Sequence, residues 1–194
     1  MRTWSRLCLA LALASALAWF VPPAAWFWEA PAWVHRPWTL WTAALVHLSG
    51  SHLVANLLAL AALAVLGEAL QAGRAAALAL LLAWPTGTAL LALWPQVTRY
   101  GGLSGTIHAA VMVLWAHCMV RRVAMPVSFV LFAAMGLKLL TEQAWVQPVV
   151  FDPDWGFNVA VAAHLTGALA GAGWGLLLCL LGFAAPARWS SNHG

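Results

Sequence analysis

Charge is the scarcest property of this sequence. Of 194 residues nine are basic and five acidic, so charged residues make up 7% of the chain against 64% hydrophobic. Soluble domains carry about 25% charged residues, and a water-facing surface cannot be assembled from so few. Cysteine is nearly as scarce. Cys8, Cys118 and Cys179 lie inside apolar runs without paired spacing, so they indicate neither a redox compartment nor a metal site. No soluble domain, internal repeat or disordered tail is expected. The net charge of +4 carries no nucleic-acid signal, because basic residues in such a chain mostly report topology.

What is present is apolar sequence in long runs, with a mean hydropathy of +0.86. The 14 tryptophans suit a membrane protein, since Trp concentrates at the two bilayer interfaces. Six segments approach the ~20 residues that span the hydrocarbon core, at about 4–21, 53–70, 75–94, 104–120, 127–140 and 159–183. The breaks carry turn chemistry: a long Pro/Trp loop (VPPAAWFWEAPAWVHRPW), a Gly turn (QAGR) and a basic turn ending in Pro (RRVAMP). The expectation is an all-α, polytopic bundle of six membrane helices forming a single domain over 1–194.

A cytoplasmic amino terminus puts Arg2, Arg6, Arg74, Arg121, Arg122 and Arg188 inside. Arg36 and Arg99 then fall outside, with Glu29, Glu142, Asp152 and Asp154. That bias fits the positive-inside rule with both termini cytoplasmic. A cleaved signal peptide ending near ASALA is the rival reading, but five remaining helices would break the charge pattern.

Ionisable or amide groups inside a bilayer are costly and mark functional sites by default. Here they are His47, His52, Asn56, Ser104, His108, His117, Lys138 and His164. His52 and Asn56 are i, i+4 and share a face of the second segment, as Ser104 and His108 do on the fourth. His164 opens the sixth, followed by Gly167 and Gly171, whose small-residue stripe permits close helix approach. Close packing of segments four and six brings His164 within reach of Ser104, the minimum apparatus for nucleophilic catalysis. His52, Asn56 and the Ser104 N–H are donors for a developing oxyanion. No carboxylate is expected near His164, which favours a Ser–His dyad over a triad, with His108 stacking on the imidazole.

Plainer readings exist for each residue. A membrane serine commonly bonds backbone, and His52 with Asn56 reads equally as a pair joining helices. His117 reads as interfacial, while His35 and His193 carry no signal. A metal at His47, His52, His108 and His164 lacks a carboxylate or thiolate and a chelating spacing.

In order, HLSGSHLVAN, GGLSG and AHLTGALAG resemble the motifs of the rhomboid intramembrane serine proteases. The resemblance runs from about Trp38 to Phe183. It implies Ser104 as nucleophile and His164 as general base. His52 and Asn56 line the oxyanion hole beside Gly102 and Leu103, and the fifth segment with its following loop serves as gate and cap. GLSGTIH, with His108 where many rhomboid proteases have Tyr, together with GLKLLTEQ and PVV…VAAHLTGALAG, is similar to the rhombosortase branch. Lys138 and Glu142, at i, i+4, pair near the site; His47, Gly167 and Gly171 support it.

That branch implies a bacterial inner membrane and an active site on the periplasmic side. The implied substrates are membrane-anchored proteins ending in Gly-Gly, a transmembrane helix and a basic tail. No cofactor and no metal are implied, and an accessory membrane protein is left open. Two departures stand out. The first outer loop has Trp38-Thr39 in place of the family's Trp-Arg, which puts the anchoring of that loop in question. Ala162 replaces an acidic residue that rhombosortases often carry two positions before the helix-six histidine. A transpeptidase that passes the acyl group to an amine, and an inactive protein that binds membrane clients, are the alternatives. A transporter is disfavoured, since no helix breaks at mid-membrane.

Overall fold

Apolar sequence without water to bond its backbone must satisfy its N–H and C=O groups within each segment, which makes helices of the long runs. A computed structural model describes residues 1–184; Arg188 and His193 lie outside the described residues. The helices are α1 (Thr3–Ala18), α2 (Thr39–Thr42), α3 (Gly50–Ala69), α4 (Arg74–Leu90), α5 (Ser104–Arg121), α6 (Met125–Glu142) and α7 (Ala162–Ala184). Four short strands pair as antiparallel couples, β1 (Trp28–Glu29) with β2 (Arg99–Tyr100) and β3 (Val150–Asp152) with β4 (Phe157–Val159).

The chain is mostly helical, and its elements differ from the six expected segments in two respects. About 70% of it is helical, with seven α-helices among the described residues, the extra one being the single turn α2 inside the Pro/Trp loop. Val159 ends a β-hairpin and residues 160–161 connect it to the last helix, because the turn chemistry of Asp152 to Gly156 reverses the chain first. By length and composition α3, α4 (with the turn continuing to Leu93), α6 and α7 can each cross a membrane, and α1 is a shorter apolar helix.

The helices pack unequally. The most extensive contact joins α5 to α7, and the next joins α4 to α7. Gly167 and Gly171 explain the first. A Cβ on Gly167 would collide with the Gly105 carbonyl group, and one on Gly171 with the Ala109 carbonyl oxygen and, at 2.6 Å, its Cα. Only hydrogen at these positions permits backbone contact between the two helices. By contrast, α6 buries only Ser128 and Met135 and leaves Phe129, Val130, Phe132 and Leu137 exposed on its outer face, as expected of a lipid-facing helix.

Helix α1 is built into the bundle against α3. Trp4 is fully buried and its Nε1–H donates to the Leu63 carbonyl oxygen at 2.9 Å. The Glu68 carboxylate accepts hydrogen bonds from the Ser5 hydroxyl and, at 3.1 Å, the Arg2 backbone N–H. Trp4→Ala is expected to cost about 3 kcal/mol, through a cavity and an orphaned carbonyl; thermal unfolding of the purified protein in detergent checks it.

The loop whose anchoring the sequence left in question is held by other residues. Arg36 pairs with Glu29 at 2.7 Å and Arg99 with the same carboxylate at 3.5 Å, the Arg99 guanidinium lying 3.6 Å over the Phe27 ring. Trp38 Nε1–H donates to the Ala25 carbonyl oxygen and the Thr42 hydroxyl to that of Trp26. Partly exposed ion pairs contribute little singly; the β1–β2 pairing and the fully buried Trp28 carry the rest.

Candidate active site

The site is built at the end of the bundle where α3, α5 and α7 begin and α6 ends. Its left wall is the strand-to-helix turn before α5. Tyr100, buried so that its phenol is pushed above the ordinary value, donates its hydroxyl to the Gly102 carbonyl oxygen at 2.5 Å. The Gly102 N–H donates to the Ala43 carbonyl oxygen at 2.9 Å. Gly102 has φ +136°, a conformation L side chains rarely adopt, and its missing Cβ leaves room for the His52 ring, whose Cε1 would lie 2.9 Å away. This turn sets Ser104 at the first position of α5. There its backbone N–H has no intrahelical acceptor.

Across the α5–α7 contact, His164 meets Ser104. The Ser104 hydroxyl lies 3.0 Å from His164 Nε2, and His164 Nδ1 lies 2.8 and 2.9 Å from the two Glu142 carboxylate oxygens. A carboxylate accepts only, so Nδ1 carries the proton and Nε2 presents its lone pair to the hydroxyl. The His108 ring stacks on His164 with centroids 4.2 Å apart and planes 6° from parallel, and its Nδ1–H donates to the Ser104 carbonyl oxygen at 2.8 Å. Lys138 Nζ pairs with Glu142 at 2.7 Å. The expectation that no carboxylate lies near His164 is therefore corrected. Glu142, 22 residues earlier, reaches it from the last turn of α6.

His108, Glu142 and His164 place ligand atoms within 4.8 Å of one another, a set unlike the four histidines weighed from sequence. Both Nδ1 atoms are already engaged in hydrogen bonds, with the Ser104 carbonyl oxygen and the Glu142 carboxylate.

The second part of the site lies on α3. His52 packs against His47 at a centroid distance of 5.0 Å. His47 lies just before α3, and its imidazole is pushed below the ordinary value by burial, which the Leu45 carbonyl oxygen at 3.1 Å partly offsets. His47 Nε2, His52 Nδ1 and Asn56 Nδ2 are buried without a hydrogen-bond partner among the described residues. Buried polar atoms are rarely left so. A cavity of about 270 Å³ opens there, bounded by His52, Arg99, Gly101, Ser104, Phe157 and Val159.

Not every residue singled out from the sequence faces the cleft. Leu103 is fully buried in the core, so only its backbone is available to the site. Gly167 and Gly171 lie in the helix contact. His117, read as interfacial, lies away from the cleft and is buried, with Nε2 3.1 Å from the Leu70 carbonyl oxygen. The loop after the fifth segment, expected as a cap, contributes two residues that the sequence reading did not single out. Trp155 and Phe157 of the β3–β4 hairpin lie over His52 at 5.5 and 5.3 Å between centroids. The Asp152 carboxylate accepts from the N–H groups of Asp154 and Trp155, and Gly156 has φ +74°. The run FDPDWGFNV, with turn residues between β-prone ones, was the available signal.

The family model of the rhomboid domain matches residues 34–181, well over half of the chain. No curated protein matches it. A glycine turn presenting a serine at the head of one helix, a histidine facing it from another and the domain match across both lead to one assignment: the chain belongs to the rhomboid family, whose members are intramembrane serine proteases.

Proposed function

We propose that this chain is an intramembrane serine endopeptidase of the rhombosortase type, acting on membrane-anchored proteins with a C-terminal Gly-Gly, transmembrane helix and basic tail. The observation that carries the reading is the 3.0 Å approach of Ser104 Oγ to His164 Nε2 across the α5–α7 contact.

Ser104 attacks the peptide carbonyl as its hydroxyl proton passes to His164 Nε2. The Ser104 N–H, His52 and Asn56 meet the oxyanion, with Gly102 and the Leu103 backbone shaping the wall. The C–N bond breaks as Nε2 returns the proton to the leaving nitrogen, and water then releases the acyl group by the same exchange. The small cavity beside Ser104 suits glycine-rich backbone. One membrane domain crosses a bacterial inner membrane six times, with both termini cytoplasmic and the site toward the periplasm. α6 is the gate and the β3–β4 hairpin the cap.

The test is a membrane reporter ending in Gly-Gly, a transmembrane helix and a basic tail, co-expressed with the chain. Release by wild type with the mass of a free acid is the expected result. Added mass at the new carboxyl end would mean transfer to an amine instead of water. Release that does not depend on Ser104 would move the reading to a client-binding protein.

A further inference from the structure

Glu142 is the group in the site with the least reason to be there by default. It is a carboxylate with a side chain 12% exposed, at the end of an apolar helix, where an ion is costly unless paired. It has two partners, Lys138 and His164, and the second is the residue read above as the base. We infer that Glu142 is a positioning residue that completes a Ser104–His164–Glu142 relay, and that it does so only while α6 is docked against the start of α7. The inference rests on the reading of Ser104 and His164 as nucleophile and base.

Two neighbours act on the His164 ring in different ways. The His108 stack restrains the plane of the imidazole, but a stack has no preference between tautomers. The acceptor at Nδ1 supplies that preference: both Glu142 oxygens lie within 2.9 Å of it. When the Ser104 proton arrives at Nε2 the ring becomes a cation with two N–H groups. The carboxylate then faces that charge without taking the proton. When Nε2 gives the proton to the leaving nitrogen, the ring returns to its starting tautomer.

The carboxylate arrives on the most loosely held of the long helices. Of α6, only Ser128 and Met135 are buried, and its contact with α7 is slight beside that of α5 with α7. Its outer end is tied down by the Glu142–His164 hydrogen bonds and by the buried Ala144 that follows. Displacing that end to admit a substrate helix separates Glu142 from Nδ1, and re-docking restores it. The relay is thus complete only with the helix closed.

The experiment uses the full chain in proteoliposomes. It measures the rate at which a fluorophosphonate probe labels Ser104, the kcat and KM on the Gly-Gly reporter, and thermal unfolding. Glu142→Gln keeps the shape and removes the charge. It is expected to lower kcat and labelling about 10²-fold with KM unchanged and the melting temperature preserved. Glu142→Asp keeps the charge one methylene short and is expected to recover part of the loss. Wild-type rates in Glu142→Gln, with wild type labelled and Ser104→Ala not, overturn the role of Glu142 and leave the Ser–His pair standing. Loss in Glu142→Gln accompanied by a fallen melting temperature and no recovery in Glu142→Asp makes the residue structural and overturns it as well. A wild type that does not label removes the underlying reading itself.

Discussion

Ser104→Ala is expected to lower kcat/KM on the Gly-Gly reporter by at least about 10³-fold, to the level of the background. The removed atom is the one proposed to form the bond to the substrate carbonyl, and the other hydroxyl at the head of α5, that of Thr106, is buried. His164→Ala is expected to cost about as much. The Ser104–His164 double variant should then lose no more than either alone, because residues that act as a unit are strongly non-additive. The fold should be untouched in Ser104→Ala. Its hydroxyl has His164 as its side-chain partner, and the backbone of its turn is held by Tyr100 and Ala43. Reporter cleavage with unfolding curves alongside decides it. Cleavage surviving in Ser104→Ala, or losses that simply add in the double variant, would remove the case for a serine protease.

The second large effect is one of packing. Gly167→Val is expected to destabilise the fold by about 3 kcal/mol or more, a fall of about 10 °C in melting temperature for a chain of this size. The new side chain would meet the carbonyl group of Gly105, its carbon 2.8 Å from the first added atom. Backbone inside a helix has no rotamer to give, so α5 and α7 must separate. Separation here also parts Ser104 from His164, and activity should fall with stability. Gly173→Ala on the same helix is the control: nothing lies within 4 Å of a Cβ at Gly173, and little change is expected. An unaltered melting temperature in Gly167→Val would mean that the two helices do not meet as described.

What could be read in the sequence follows from which forces are local. The helices fall within a few residues of their expected bounds, because apolar runs and Pro/Gly punctuation act over short range. The i, i+4 spacings of His52 with Asn56 and of Lys138 with Glu142 are properties of a helix, legible before any fold is known. The stripe of Gly167 and Gly171 announced a close partner. The Glu142–His164 contact was not legible, since it depends on how residues 143–161 turn the chain back onto the bundle, and no local period encodes that closure. Trp155 and Phe157 escaped for the same reason, although their turn residues were in view. The first outer loop teaches the converse. The absence of the family's Trp-Arg raised doubt about anchoring, yet Arg36 and Arg99 secure the segment by sharing Glu29.

The unequal packing of the helices bears on how the protein will behave once extracted from its membrane. Backbone contact between α5 and α7 depends on shape and close approach, and a surrounding of micelle or lipid leaves both unchanged. The serine and histidine should therefore keep their alignment through purification. The outer face of α6 has acyl chains for neighbours and little protein behind it, so its docking will follow the amphiphile chosen. Short-chain detergents that crowd that face and nanodiscs that support it are expected to yield preparations with the same fold and different specific activity.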